Sequence, residues 1–246
     1  MLSFFNINFL KSQTAEPPVI ITDMHSHILP GIDDGAATLE ESLLIINKLM
    51  DLGYKKLIAT PHVMSDYYRN TPAVIHKALA EVQQAVAEKG WDVEIAAAAE
   101  YYLDEYFIEM LKKNQPLLTF GSRYLLFETS FINEPSFTAE AVFLMQANNY
   151  QPVLAHPERY LYLQHNFSKC VELVNNGVLL QINLNSLTGA YSLSAQQLAE
   201  KLIENSMVSF AGTDCHALKQ TKLLETTRTK KYYHKLLESN LLNQIL

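Results

Sequence analysis

Nine side chains with nitrogen or oxygen donors recur at the ends of short apolar runs. His25 and His27 lie in TDMHSHILPGIDDGA, with Asp33 and Asp34 close behind. His62 stands in ATPH, Glu100 in AAAE, Glu128 in LLFE, His156 in LAHPER, and Asp214 and His216 in GTDCH. Imidazole and carboxylate together suit manganese, iron, zinc, cobalt or magnesium, and the lack of a thiolate set argues against a structural cysteine–zinc site. At about three to six ligands per ion, His25, His27, Asp34, His62, Glu100, Glu128, His156, Asp214 and His216 could hold two or three divalent cations if a carboxylate bridges. Close-set cations point to hydrolysis by a metal-activated water, with phosphoryl esters as natural substrates. Arg159, in HPERY beside His156, could fork two phosphate oxygens.

Each residue alone has a plainer explanation. A single His or Glu after a strand is ordinarily a solvated loop residue, and His76, His165 and His234, on helices or connections, fit that description. The set is harder to dismiss, because five of the eight histidines fall at strand ends. Desolvated acids also need partners, and Arg159 is the only basic side chain near these motifs.

The elements that must position these residues read as alternating strands and helices. Apolar runs at 19–22, KKLIAT, DVEIAAAA, RYLLF, QPVLA, GVLLQIN and MVSFA predict seven strands. Helices are predicted between them, the first over TLEESLLIINKLMDLG, where Thr38 and Glu41 have capping-box spacing. The second runs through TPAVIHKALAEVQQAVAEKG, with Thr71 as cap and Pro72 at its first position. KKYYHKLLESNLLNQIL is expected to form a final helix. Near-continuous apolar strands separated by helices mean a parallel sheet covered on both faces. Seven such units favour an α/β barrel over a doubly wound sheet, and no Gly-rich phosphate fingerprint follows the first strand. In a barrel the C-terminal rim gathers residues from every strand. Asn183 and Asn185 would join that rim after the sixth strand, and Tyr101, Tyr102 and Tyr160 would line it or pack beneath it. Arg123, before the fourth strand, would fall at the opposite end.

Composition narrows the function further. The chain has 246 residues, 48% hydrophobic and 18% charged, with a formal net charge of −7. That sign argues against a nucleic-acid-binding surface. Two cysteines, Cys170 and Cys215, are too few for a disulfide framework and fit a reducing, cytoplasmic setting. A cysteine phosphatase would need an arginine six residues after its thiolate, but those positions hold Asn176 and Thr221. The apolar patch at 4–10 lacks a basic flank and a cleavage site, and it is too short to span a bilayer. Residues 1–18 are expected to be a tail and 19–246 a single domain.

The blocks DMHSHILPGIDDG, TPH, AAAEYY, FETS, AHPERY and GTDCH resemble the PHP (polymerase and histidinol phosphatase) superfamily. Within it they resemble the bacterial tyrosine-protein phosphatases of capsular and exopolysaccharide loci, the CpsB/YwqE type. The likeness runs from about Asp23 to His216, with the six blocks in the same order and spacing. It implies a distorted (β/α)7 TIM-like barrel, the PHP fold, with a trinuclear centre. One ion would be held by His25, His27, Glu100 and Asp214, a second by Glu100, Glu128 and His156, and a third by Asp34, His62 and His216. Manganese is the metal it favours, with Arg159 as phosphate ligand and Asp214 and His216 at the reaction centre. The implied substrate is the phosphotyrosine tail of a bacterial tyrosine autokinase. Relatives often carry an arginine after the last block, whereas here only Lys219 and Lys222 follow. Rival readings are a phosphatase for a small phosphomonoester such as histidinol phosphate, an exonuclease-like phosphodiesterase, which the acidic charge disfavours, and a non-catalytic regulatory barrel. No nucleic-acid partner and no stable membrane insertion are expected.

Overall fold

The structure, a computed structural model, describes residues 19–246; the expected tail at 1–18 lies outside the described residues. Among the described residues nine parallel strands fill seven positions around a barrel. They are β1 (Thr22–Ser26), β2 (Lys56–Ala59), β3 (His62–Val63), β4 (Glu94–Ala97), β5 (Glu100–Tyr102), β6 (Tyr124–Glu128), β7 (Gln151–Ala155), β8 (Leu179–Asn183) and β9 (Val208–Gly212). They form two sheets, ordered β1-β2-β4 and β3-β5-β6-β7-β8-β9. The sheets share two strand positions, since β2 continues as β3 across Thr60-Pro61 and β4 as β5 across Ala98-Ala99. The Ala98 N–H still reaches the Ala59 carbonyl (2.8 Å), and the Glu100 N–H reaches that of Pro61 (3.1 Å).

The ring closes where β9 meets β1. At the upper end His27 N–H donates to the Cys215 carbonyl (3.0 Å) and Asp214 N–H to that of His25 (2.8 Å). At the lower end the carboxamide of Asn243 replaces strand pairing. Its Nδ2 donates to the carbonyls of Thr22 (3.0 Å) and Ala211 (2.8 Å), and its Oδ1 accepts from Ala211 N–H (2.9 Å).

Helices cover the outside: α1 (Leu39–Asp51), α2 (Pro72–Glu88), α3 (Glu105–Lys112), α4 (Thr138–Ala147), α5 (Leu161–Gln164), α6 (Phe167–Asn175), α7 (Leu193–Glu204), α8 (Leu218–Thr227) and α9 (Lys231–Leu237). Thr38 Oγ1 caps α1 by accepting from Glu41 N–H, while the Glu41 carboxylate reaches back one residue further than expected, to Ala37 N–H. Thr71 caps α2, with Pro72 at its first position.

Strand alternation divides the apolar residues. Leu57, Leu125, Phe127, Leu154, Leu180 and Ile182 face the helices. Met24, Ile58, Ala98, Leu126, Val153 and Phe210 fill the barrel interior, above Phe120. No helix among the described residues is long and apolar enough to cross a membrane.

Three expectations need correction. The first strand is not 19–22, because β1 starts at Thr22 and itself carries Asp23 and His25. The final helix is shorter than expected: α9 ends at Leu237 and a separate 3-10 turn, Leu242–Ile245, carries Asn243 to the seam. Helix α8 was not anticipated; its first turn directly follows the GTDCH block, whose polar residues masked the helical period.

Candidate metal centre

A bulge in β1 aims the first ligands. Asp23 pairs with Leu57 and Ser26 with Ala59, so β1 has one residue more than β2 over this stretch. Alternation alone would put Met24 and His25 on opposite faces, and the extra residue turns His25 inward as well. Met24 packs in the interior cluster, and His25 Cβ presses on Gly212 of β9. A methyl group on Gly212 would sit 2.6 Å from that atom.

Four donor atoms then converge. His25 Nε2 lies 3.2 Å from His27 Nε2 and 3.2 Å from Glu100 Oε2, and His27 Nε2 lies 3.4 Å from Glu100 Oε2. Asp214 Oδ1 is 3.4 Å from each imidazole nitrogen. Ligand atoms held tetrahedrally at ~2.0–2.1 Å from a cation stand about 3.3–3.4 Å apart, so the spacings among His25, His27 and Glu100 fit three corners of such a shell, with Asp214 beside the two imidazoles.

The opposite nitrogens of both rings are engaged. His25 Nδ1 donates to Gln181 Oε1 (2.8 Å), and His27 Nδ1 donates to Asp33 Oδ2 (2.8 Å). Both rings therefore present lone pairs to each other through Nε2, which demands a cation or a shared proton. The donor set fits a divalent metal.

Two further groups adjoin. His156 Nε2 lies 3.0 Å from Glu100 Oε1 and 4.0 Å from Glu128 Oε2. Asp34 Oδ1 lies 3.4 Å from His62 Nε2 and 3.5 Å from His216 Nε2. His62 Nδ1 approaches Glu128 Oε1 (3.0 Å) and Glu100 Oε2 (3.2 Å) without the alignment of a hydrogen bond. It and His156 Nδ1 are buried donor atoms without partners. Glu100 is central, touching His25, His27, His62 and His156. All nine expected ligands thus meet at one mouth. Two of them, His156 (φ 32°) and Asp214 (φ 49°), take left-handed backbone at strand ends, a cost that concentrates at functional sites.

Charge follows from this crowding. Burial opposes a proton on His25 and His27, but Glu100 and Asp214 outweigh it at His25, and Asp33 and Asp214 do so at His27, so both stand above the ordinary imidazole range. Burial and the neighbouring His27 oppose charge on His62, yet Glu100, Asp34 and Glu128 lift it to about 10. Burial would raise Glu100 and Asp214, but the surrounding imidazoles, His25 foremost, hold both well below the carboxylate range. Without a cation, His25, His27 and His62 favour the proton while Glu100 and Asp214 stay ionised.

Arg159 completes the pocket. Its Nη1 donates to Asp214 Oδ2 (2.9 Å), and its guanidinium lies between two rings, 4.6 Å from Phe131 and 4.4 Å from Tyr191. The pocket, about 420 Å3, is rimmed by Tyr68, Tyr102, Phe131 and Ile132.

Supporting residues surround the ligands. Asp33 fixes the His27 ring and accepts Gly35 N–H; Asn183, expected at the rim, donates from Nδ2 to Asp214 Oδ2 (2.5 Å); Gln181, which the sequence reading passed over, fixes His25. The doublet Asp33-Asp34 carried a signal, but Gln181 carried none. Asn185 turns away, donating to the Gln220 carbonyl and accepting from Thr227. Tyr160 and Tyr101 are buried, each hydroxyl accepting a backbone N–H. Cys170 and Cys215 are buried thiols pushed up to about 11 and about 12, unfit as nucleophiles.

A family model described as capsular polysaccharide synthesis, CpsB/CapC, matches residues 21–246. The chain is 29% identical over 197 residues to the tyrosine-protein phosphatase YwqE of Bacillus subtilis, covering 80% of this chain and 78% of that protein. It is 26% identical over 201 residues to the tyrosine-protein phosphatase CpsB of Streptococcus agalactiae, covering 80% and 83%. A solved structure from work on YwqE of B. subtilis and CpsB of Streptococcus pneumoniae, described as metal-dependent tyrosine phosphatases, superposes with a TM-score of 0.77. That match has 26% identity over 90% of this chain and 96% of the other.

Proposed function

The chain belongs to the CpsB/CapC family of capsular polysaccharide synthesis, and we propose that it is a cytoplasmic, metal-dependent protein-tyrosine phosphatase whose substrate is the phosphotyrosine tail of a bacterial tyrosine autokinase. The observation that carries this reading is the crowding of His25, His27 and Glu100, whose donor atoms stand 3.2–3.4 Å apart, with Asp214 Oδ1 3.4 Å from both imidazoles. Residues 19–246 would work as one domain.

In this reading His25, His27, Glu100 and Asp214 hold one cation, Glu100, Glu128 and His156 a second, and Asp34, His62 and His216 a third. Manganese is favoured, with iron, zinc, cobalt or magnesium compatible with the same donors. Bound cations supply an acidified water and neutralise charge on the phosphoryl oxygens.

The chain's own groups do the rest. Arg159 keeps one N–H on Asp214 and offers its remaining donors to the phosphate. Phe131 and Tyr191 hold its plane, so little side-chain freedom is lost on binding. Asp214 links this arginine to the imidazoles, which couples phosphate capture to the metal-binding ring. Asp33 and Gln181 keep the Nε2 atoms of His27 and His25 free of protons when cations are bound. His216, at the pocket wall, donates from Nδ1 to the Asp214 carbonyl, which leaves its Nε2 facing Asp34. The leaving tyrosinate has a reference pKa near ~10, so its departure asks less of a proton donor than an alkoxide would.

The test is chelation. Hydrolysis of phosphotyrosine should vanish on complete metal removal and return with added Mn2+. Activity that survives in the metal-free protein defeats the mechanism. Histidinol phosphate turned over far faster than a phosphotyrosine peptide would defeat the substrate assignment.

A further inference from the structure

Beside the ligand pocket lies a second concavity of about 540 Å3, between α1 and the start of α8. Asp34 and His216 line both, so the two form one trough with those side chains as the ridge between them. On the far side Leu44 and Leu218 are 55% and 41% exposed, over the buried Ile45. Lys219 also lines this side and forms no ion pair with the described residues. Glu41, the acid on the α1 wall, is engaged by Ala37 N–H.

A peptide bound by its phosphotyrosine must lay its neighbouring residues on the surface next to the pocket, because an extended chain advances only ~3.3–3.6 Å per residue. The opposite rim carries Tyr68, Tyr102, Phe131 and Ile132, with Phe131 and Ile132 39% and 64% exposed, and among the described residues no lysine lines it. The α1–α8 side sets a cation, Lys219, unpaired among the described residues, beside the apolar Leu44 and Leu218.

We propose that this groove is a flank subsite for the substrate peptide. An apolar residue near the phosphotyrosine rests on Leu44 and Leu218, and an acidic residue beside it meets Lys219. This rests on the phosphotyrosine-protein reading above, whose chemistry it does not alter.

The test uses the metal-loaded full chain and three substrates: p-nitrophenyl phosphate, a phosphotyrosine peptide flanked by Leu and Glu, and the same peptide flanked by Gly. The Leu/Glu peptide should have a KM about fivefold below that of the Gly peptide. Leu44→Ser and Lys219→Ala should each erase most of that preference, while p-nitrophenyl phosphate, which has no flanks, is turned over as before. Equal KM values for the two peptides in the unaltered protein overturn the proposal, as do variants that slow all three substrates alike. Failure to hydrolyse p-nitrophenyl phosphate at all would sink the phosphatase reading itself, and is thereby distinguishable from failure of the subsite.

Discussion

The mouth and the floor of this barrel are built from the same inner faces, yet they obey opposite energetics. On β6, Leu126 packs in the floor and Glu128, two residues on, faces the mouth. β1 turns from Met24 to His25, and β9 leads from Phe210 to Asp214. In the floor Phe120, Tyr124 and Phe210 meet at centroid distances of 5.1–5.4 Å, with Phe210 edge-on to the other two rings. Burial stabilises those groups directly. In the mouth the same loss of water penalises every charge and is offset only by partners of opposite sign or by bound cations. The floor is self-sufficient, whereas the mouth is built for a guest.

The largest expected effect tests the mouth. Glu100→Gln should lower phosphotyrosine hydrolysis by at least ~10³-fold and reduce bound metal, while circular dichroism reports an intact fold. Unchanged metal content with full activity would break the contrast. Phe210→Ala should do the reverse, costing about 3–5 kcal/mol in denaturant unfolding while the folded fraction retains its turnover number.

How far the sequence foretold this contrast depends on the kind of information each residue needs. Glu128, His156 and Asp214 were legible because strand-then-acid or strand-then-imidazole is a local pattern, and barrel topology gathers strand ends. Leu126 and Phe210 were legible only as strand residues, since a run apolar on both faces does not say which side is the interior. The bulge at β1 was invisible because it is a mismatch between two strands more than thirty residues apart, and no single segment records it. Gln181 and Asn243 were missed for the same reason, as each is an ordinary amide whose partners come from distant segments.

Acidity sharpens the comparison at the next scale. In the metal-free protein His62 holds its proton to about pH 10. Its folded pKa exceeds the usual imidazole value, so its contribution to stability is complete below about 6.5 and fades as pH rises through about 10. The metal-free form should therefore lose stability between pH 7 and 10, which thermal unfolding would record. A cation must expel that proton, so apparent metal affinity should climb roughly tenfold per pH unit for each proton displaced. Competition with a chelator at several pH values measures this, and a flat profile would contradict a protonated His62.

The smallest effect concerns the aromatic clamp. Tyr191→Leu should weaken inhibition by inorganic phosphate about three- to tenfold, with Tyr191→Phe close to the unaltered protein. Equal losses in both would shift the role from the ring to its hydroxyl, which lies 3.4 Å from Asn183 Nδ2.

The carboxamide of Asn243 has a consequence for how the protein is made. It bridges to Thr22 across 221 positions of chain, so β1 leaves the ribosome long before the residue that seals its edge. Such distant pairing is slow to form and leaves an open edge during translation. A nascent chain stalled short of that asparagine would expose β1, histidines included, to chaperones and to other unfinished copies.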